Sequence, residues 1–183
     1  MQKLILTLAL FAVTSIAGAQ ESRTELVRPS ATPLDDSKPN SDKVPPAYAI
    51  GGQFDHVMIL RCKYQTDLLA SLEAFVKQQK IRNAVILSGI GSVRGYHVHS
   101  VSNRVFPSHD IYVKNPTAPA DIVSMNGYVV DGRVHAHIML ADADKAFGGH
   151  LEPGTEVFTF AAVTIGILND KVDLNHLDDK TYR

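Results

Sequence analysis

The sequence predicts an α+β fold, a single domain built from a largely antiparallel sheet and one main helix. Three observations carry this prediction. Apolar and polar residues alternate in several short segments, as is typical of strands with one buried face. One segment, residues 67–80, instead has apolar side chains at helical spacing. Turn signals separate neighbouring segments closely enough for antiparallel pairing, and the Asp131-Gly132 pair is a strong hairpin signal.

The elements of the domain follow in order from their local patterns. Thr66 or Asp67 can cap the helix, and Lys77 and Lys80 near its end suit the helix dipole. The segment 103–120 contains three prolines and is predicted to be irregular, and residues 142–150 are predicted to form a loop. The predicted strands are residues 56–62, 83–91, 96–101, 122–130, 133–140 and 155–168.

The chain divides by composition into four regions. Residues 1–19 combine an early lysine, an apolar stretch and a final Ala-Gly-Ala, the pattern of a cleaved secretory signal peptide. Residues 20–47 contain five prolines among polar residues and predict a disordered leader. Residues 48–170 form the predicted domain, and residues 171–183 a polar tail. We therefore expect a periplasmic or secreted protein with no stable membrane span after cleavage; an uncleaved N-terminal anchor is the alternative.

Charge and cysteine content exclude several classes of function. The formal net charge is -1, and residues 48–170 contain ten Lys and Arg against eleven Asp and Glu. No run of basic residues is present, so contact with nucleic acid is not expected. Cys62 is the single cysteine, which excludes an intramolecular disulfide and a cysteine-based metal cluster. The sequence has no phosphate loop, nucleophile elbow or dinucleotide fingerprint.

Three histidines form the candidate site. His135 and His137 alternate with apolar residues, so on a strand both side chains point to the same face. His150 follows two glycines, which permit a close backbone approach that other residues forbid. Three imidazoles could hold zinc or a similar divalent metal and leave one coordination position open. The alternative is an edge strand that simply presents two polar residues.

The carboxylates near these histidines are Asp142, Asp144, Glu152 and Glu156, and Arg94 is a more distant candidate. Glu152 is a candidate catalytic general base, by proximity alone. Asp142 and Asp144 are assigned to a turn. Arg94 could meet an anionic ligand or could be an ordinary surface arginine.

A second pair, His97 and His99, also shares one face of a predicted strand. These side chains could face solvent or line the same pocket as the first histidines. They could also form a second site with His109 and Asp110.

The segments SGIGSV, VHAHIML and GGHLEPG, followed by a valine-rich strand, resemble the plants and prokaryotes conserved (PPC) domain family. The resemblance spans about residues 50–168. It implies an α+β domain that assembles as a homotrimer, with a zinc-like metal held by His135, His137 and His150. In plants such domains follow AT-hook motifs and mediate association near DNA, but this chain has no basic Gly-Arg-Pro hook.

Two functions of different classes follow. The first is an exported, metal-binding homotrimer whose open coordination position takes an unidentified small molecule, as an enzyme or as a sensor. The second is a PPC module for association or DNA binding, in which the histidines are structural. The balanced charge and the export signal favour the first. The ligand, the metal and any turnover stay open, as does whether the site lies within one subunit.

Overall fold

The structure, a computed structural model, describes residues 22–183, and the predicted signal peptide lies outside this range. No helix in the described range is long and apolar enough to cross a membrane. The described residues form eight strands and two helices: β1 (Thr24–Pro29), α1 (Pro33–Asp36), β2 (Phe54–Lys63), α2 (Leu68–Gln79), β3 (Ala84–Val101), β4 (His109–Asn115), β5 (Ala120–Val130), β6 (Arg133–Ala141), β7 (Ala146–Leu151) and β8 (Glu156–Leu168).

All eight strands belong to one antiparallel sheet organised around β3, which is 18 residues long. The first half of β3 pairs with β8 on one side and β5 on the other, and its second half pairs with β4 and β7. Because β6 joins β5 to β7, the strands β3, β5, β6 and β7 form a closed circuit of pairings. The predicted α+β class with one main helix is confirmed.

Helix α2 covers one face of the sheet, as its spacing predicts. Asp67 caps it, because its side chain accepts a hydrogen bond from the Ala70 backbone N–H at 2.9 Å. Lys80 ends the helix in the left-handed conformation. The buried face consists of Leu68, Leu69, Leu72 and Val76, with Phe75 packed at its margin.

The hairpin between β5 and β6 confirms the strongest turn signal. Asp131 and Gly132 both have positive φ, 48° and 79°, as a two-residue hairpin turn requires. The two strands predicted over 83–91 and 96–101 are instead one continuous strand, β3. Its pairing with β8 shifts register near Gly91 and Gly95, and there the strand changes partners.

Within the segment for which the sequence predicts a disordered leader, residues 24–29 form β1 and residues 33–36 form α1. Strand β1 pairs with β4 from Thr24 opposite Lys114 to Pro29 opposite His109. All six β1 side chains are exposed, so the backbone makes this pairing and no burial pattern could predict it. Strand β4 itself lies inside the segment that was predicted to be irregular.

Two further segments are more ordered than their composition predicts. Of the predicted loop 142–150, only the first part is a turn; Ala146–Leu151 is β7. The polar tail packs on the domain at its start, because Val172 and Leu174 are buried. In addition, the Asn83 side-chain amide donates to the Val172 carbonyl at 2.6 Å.

Candidate metal centre

Strand register places three histidines in one row across the sheet. His137 on β6 lies opposite His150 on β7, and His150 in turn lies opposite His99 on β3. Directly opposed residues of antiparallel strands point to the same face with neighbouring Cβ atoms. His135 joins the row from two positions along β6, on the same face.

The candidate ligands His135, His137 and His150 come together within one chain. One ring nitrogen from each lies within 4.8 Å of those of the other two. The ring of His150 meets those of His135 and His137 edge-on, with centroids 4.7 and 5.3 Å away. The structure therefore assembles the three predicted residues without a second subunit.

The spacing of the ring nitrogens fits a divalent metal. The Nε2 atoms of His135 and His137 are 3.3 Å apart. Two nitrogens that each lie about 2.0–2.1 Å from one tetrahedral zinc ion are separated by about 3.3–3.4 Å. The donor set also suits zinc, because neutral imidazole is one of its principal protein ligands.

The surroundings of His137 and His150 favour their neutral forms. Burial lowers the pKa of His150 to about 4, and the neighbouring His99, His135 and His137 add to the shift. Partial burial, followed by His135 and His99, also lowers the pKa of His137. A neutral imidazole keeps the lone pair that a metal needs, so little proton competition is expected at neutral pH.

The pKa of His150 predicts how the stability of the metal-free protein depends on pH. The unfolded chain binds a proton on this histidine near its ordinary pKa of 6.5, whereas the folded chain binds it only near pH 4. Between these values the unfolded state holds more protons, so the free energy of unfolding should fall as the pH falls from 6.5 to 4. Denaturant unfolding of chelator-treated protein at several pH values measures this fall. The His150→Gln variant should lose less stability over the same range, and an equal loss in both proteins would refute the assignment.

Glu152 is bound to a fourth histidine rather than standing free. Its Oε1 accepts a hydrogen bond from His99 Nδ1 at 2.6 Å. The His99 ring packs against His150, with centroids 4.6 Å apart, and against Tyr112 at 4.8 Å. Ligand atoms of His99, His150 and Glu152 form a second convergent group within 4.8 Å. His99 is therefore not solvent-facing. It lines the same pocket as His150, which is the alternative interpretation.

The other sequence candidates have local roles. The Nδ1–H of His97 donates to the Pro153 carbonyl at 2.8 Å. Among the described residues, His109 and Asp110 belong to neither convergent group. Asp142 closes its turn by accepting from two backbone N–H groups, as predicted. The Arg94 guanidinium contacts the Tyr64 hydroxyl and Glu156.

Sequence reasoning missed one acidic residue at the site. Asp178, in the C-terminal segment, has its Oδ1 atom 3.0 Å from Nδ1 of His135. More than 40 residues separate the two along the chain, and no spacing pattern connects them. Only the folding of the tail onto the domain brings them together.

The fold and the histidine row define a small α+β domain with an imidazole cluster on its sheet. A sequence model of the Plants and Prokaryotes Conserved (PCC) domain matches residues 50–169, and the chain belongs to this family. A curated relative, the bifunctional protein GlmU of Synechococcus sp. (strain JA-3-3Ab), is 29% identical over 100 residues. That match covers 54% of this chain and only 15% of the length of the relative.

Three solved structures share the fold. A metal-containing protein from Archaeoglobus fulgidus is 23% identical, with a TM-score of 0.58 over 69% of this chain and 89% of that chain. A hypothetical protein from Salmonella enterica is 25% identical, with a TM-score of 0.55 over 66% and 83% of the two chains. A plant- and prokaryote-conserved protein from Pyrococcus horikoshii is 22% identical, with a TM-score of 0.53 over 70% and 86%.

Proposed function

We propose that this chain is an exported PPC-domain protein that binds a zinc-like divalent metal through His135, His137 and His150. The observation that carries the proposal is the 3.3 Å separation of the Nε2 atoms of His135 and His137. At this distance the two nitrogens can share an N–H···N hydrogen bond in the metal-free protein, and the same separation is the one that two ligands of a shared tetrahedral ion have. The lowered pKa of His150 supports metal binding by these histidines, and so does the metal-containing relative with the same fold.

The three histidines would leave one coordination position open for an unidentified small molecule. When bound, a zinc-like ion supplies Lewis-acid polarisation of whatever occupies that position. Glu152 holds His99 with its Nδ1 proton directed at the carboxylate, which leaves the other ring nitrogen of His99 free to accept a proton. In this arrangement Glu152 would not touch the small molecule itself. It would orient His99, whose other ring nitrogen would face the molecule. If the protein is an enzyme and not a sensor, His99 and Glu152 would be the pair that moves a proton.

Metal analysis of the mature protein tests the proposal. Protein beginning after residue 19 is stripped with a chelator, loaded with zinc, desalted and assayed for zinc and chain concentration. We expect one zinc ion per chain, and no stoichiometric zinc in the double variant His135→Ala/His137→Ala. The single variant His56→Ala, which removes an exposed imidazole elsewhere, serves as the control and should match the parent. A parent protein without stoichiometric zinc would contradict the proposal.

Assembly as a homotrimer is part of the same proposal. Exposed large apolar side chains on four neighbouring strands support an interface between copies, because a contiguous apolar patch commonly marks a protein interaction site. They are Val57, Ile59, Leu87, Ile90, Val123, Phe158 and Phe160. Light scattering in solution should give three times the mass of one chain.

Export is supported by residues 1–19 of the sequence alone, and we propose a periplasmic or secreted location on that basis. N-terminal sequencing of the protein recovered from a periplasmic fraction should begin at Gln20.

The second candidate function, association or DNA binding with structural histidines, rests on a relative. A candidate DNA-binding protein from Bacteroides thetaiotaomicron is 19% identical, with a TM-score of 0.51 over 68% of this chain and 85% of that chain. The balance of ten basic and eleven acidic residues over 48–170 argues against a strong phosphate-binding surface.

A further inference from the structure

The C-terminal segment, residues 170–183, lies beyond the residues that the family model matches, yet it reaches the histidine cluster. Two apolar side chains, Val172 and Leu174, anchor its start in a small buried group with Leu168 and Val130. Further along, the Tyr48 hydroxyl donates to the His176 carbonyl at 3.0 Å. The segment is therefore held ahead of Asp178 by contacts outside the cluster of His99, His135, His137 and His150.

The N-terminal segment helps to hold the end of the tail. The Tyr182 ring stacks on His176, with centroids 4.2 Å apart, and meets Tyr48 edge-on at 5.6 Å. The Arg183 guanidinium donates to the Lys38 and Asp36 carbonyls. Asp178 is thus presented from a fixed segment, and its side chain is 34% exposed.

The two ring nitrogens of His135 have separate surroundings. Nδ1 lies 3.0 Å from Asp178 Oδ1, within the reach of an N–H donor. Nε2 lies 3.3 Å from His137 Nε2, on the side where the ligand atoms converge. A proton on Nδ1 would face the carboxylate and leave the Nε2 lone pair for a metal.

We propose that Asp178 is the positioning residue of His135, which it orients for metal binding. The C-terminal segment therefore belongs to the metal centre. The inference rests on the proposed metal-binding function and deepens it. Metal-ligating histidines commonly give their second N–H to a carboxylate, which fixes the tautomer and the ring orientation and makes the imidazole a stronger ligand. Glu152 makes the equivalent contact with His99, so each end of the histidine cluster has its own carboxylate.

Metal affinity of three variants tests the proposal at constant pH. We expect Asp178→Ala to weaken zinc binding about 10–100-fold in a competition titration with a chromophoric chelator. Asp178→Asn should have a smaller effect, because its amide oxygen still accepts from Nδ1–H. The matched control is Asp173→Asn in the same segment, whose carboxylate accepts from the nearby Asn175 backbone N–H. Its affinity should equal that of the parent, and an unchanged affinity in Asp178→Ala would overturn the proposal.

The tautomer of His135 provides a readout that a purely structural role for Asp178 would not move. In metal-free protein, long-range ¹⁵N NMR correlations should show the proton of His135 on Nδ1, and Asp178→Ala should shift it towards Nε2. The same tautomer in both proteins would overturn the role of Asp178. Since this measurement needs no metal, it separates the two failures. A parent protein that binds no zinc refutes the proposed function, and the tautomer still decides the role of Asp178.

Discussion

Replacement of His150 by alanine is expected to lower zinc affinity by more than about 100-fold. Loss of a residue that only supports a ligand costs up to about 100-fold, and loss of a ligand itself should cost more. His150 is the centre of the row, because it lies opposite His137 on one side and His99 on the other. Its ring also contacts that of His135. Competition titration with a chelator of known affinity measures the change.

The control for this variant is His56→Ala, which removes an exposed imidazole from β2. Circular dichroism of the metal-free His150→Ala protein should confirm that the sheet is retained. If the variant keeps the structure and binds zinc as tightly as His56→Ala, His150 is not a ligand.

Substitution of Gly149 by alanine is expected to reduce both stability and metal binding. A Cβ atom at this position would lie 2.2 Å from the His99 carbonyl oxygen and 2.7 Å from the Ser100 hydroxyl. Backbone atoms cannot rotate away, so β7 must separate from β3 and carry the adjacent His150 with it. We expect the free energy of unfolding to fall by about 1–3 kcal/mol or more. Denaturant unfolding and zinc titration measure the two effects.

Gly51→Ala is the matched control, because a Cβ atom at Gly51 has no neighbour within 4 Å. It should unfold at nearly the same denaturant concentration as the parent protein. Equal midpoints for Gly149→Ala and Gly51→Ala would contradict the close packing of β7 on β3.

Local patterns predicted the parts of the site that lie close together in the chain. The period of a strand places His135 and His137 on one face, and the structure has them there. The Asp131-Gly132 turn fixes the hairpin that begins β6. Likewise, helical spacing with a cap at Thr66 or Asp67 predicted α2 within one residue at each end, and the structure has the cap at Asp67.

Contacts between distant segments could not be predicted in the same way. His99 meets His150 only because the second half of the long strand β3 pairs with β7, and no local pattern specifies that register. Strand β1 is joined through its backbone, with every side chain exposed. Asp178 reaches His135 because the tail folds back over the domain. The polar composition of the tail gives no sign of this packing.

Anomalous diffraction from crystals of zinc-loaded protein, recorded at the zinc absorption edge, shows whether His135, His137 and His150 hold a metal ion. We predict one peak per chain, about 2.0–2.1 Å from one ring nitrogen each of His135, His137 and His150. On His135 the ligand should be Nε2, with Nδ1 facing Asp178. A peak bound instead by His99 and Glu152, or no peak near these histidines, would contradict metal binding by His135, His137 and His150.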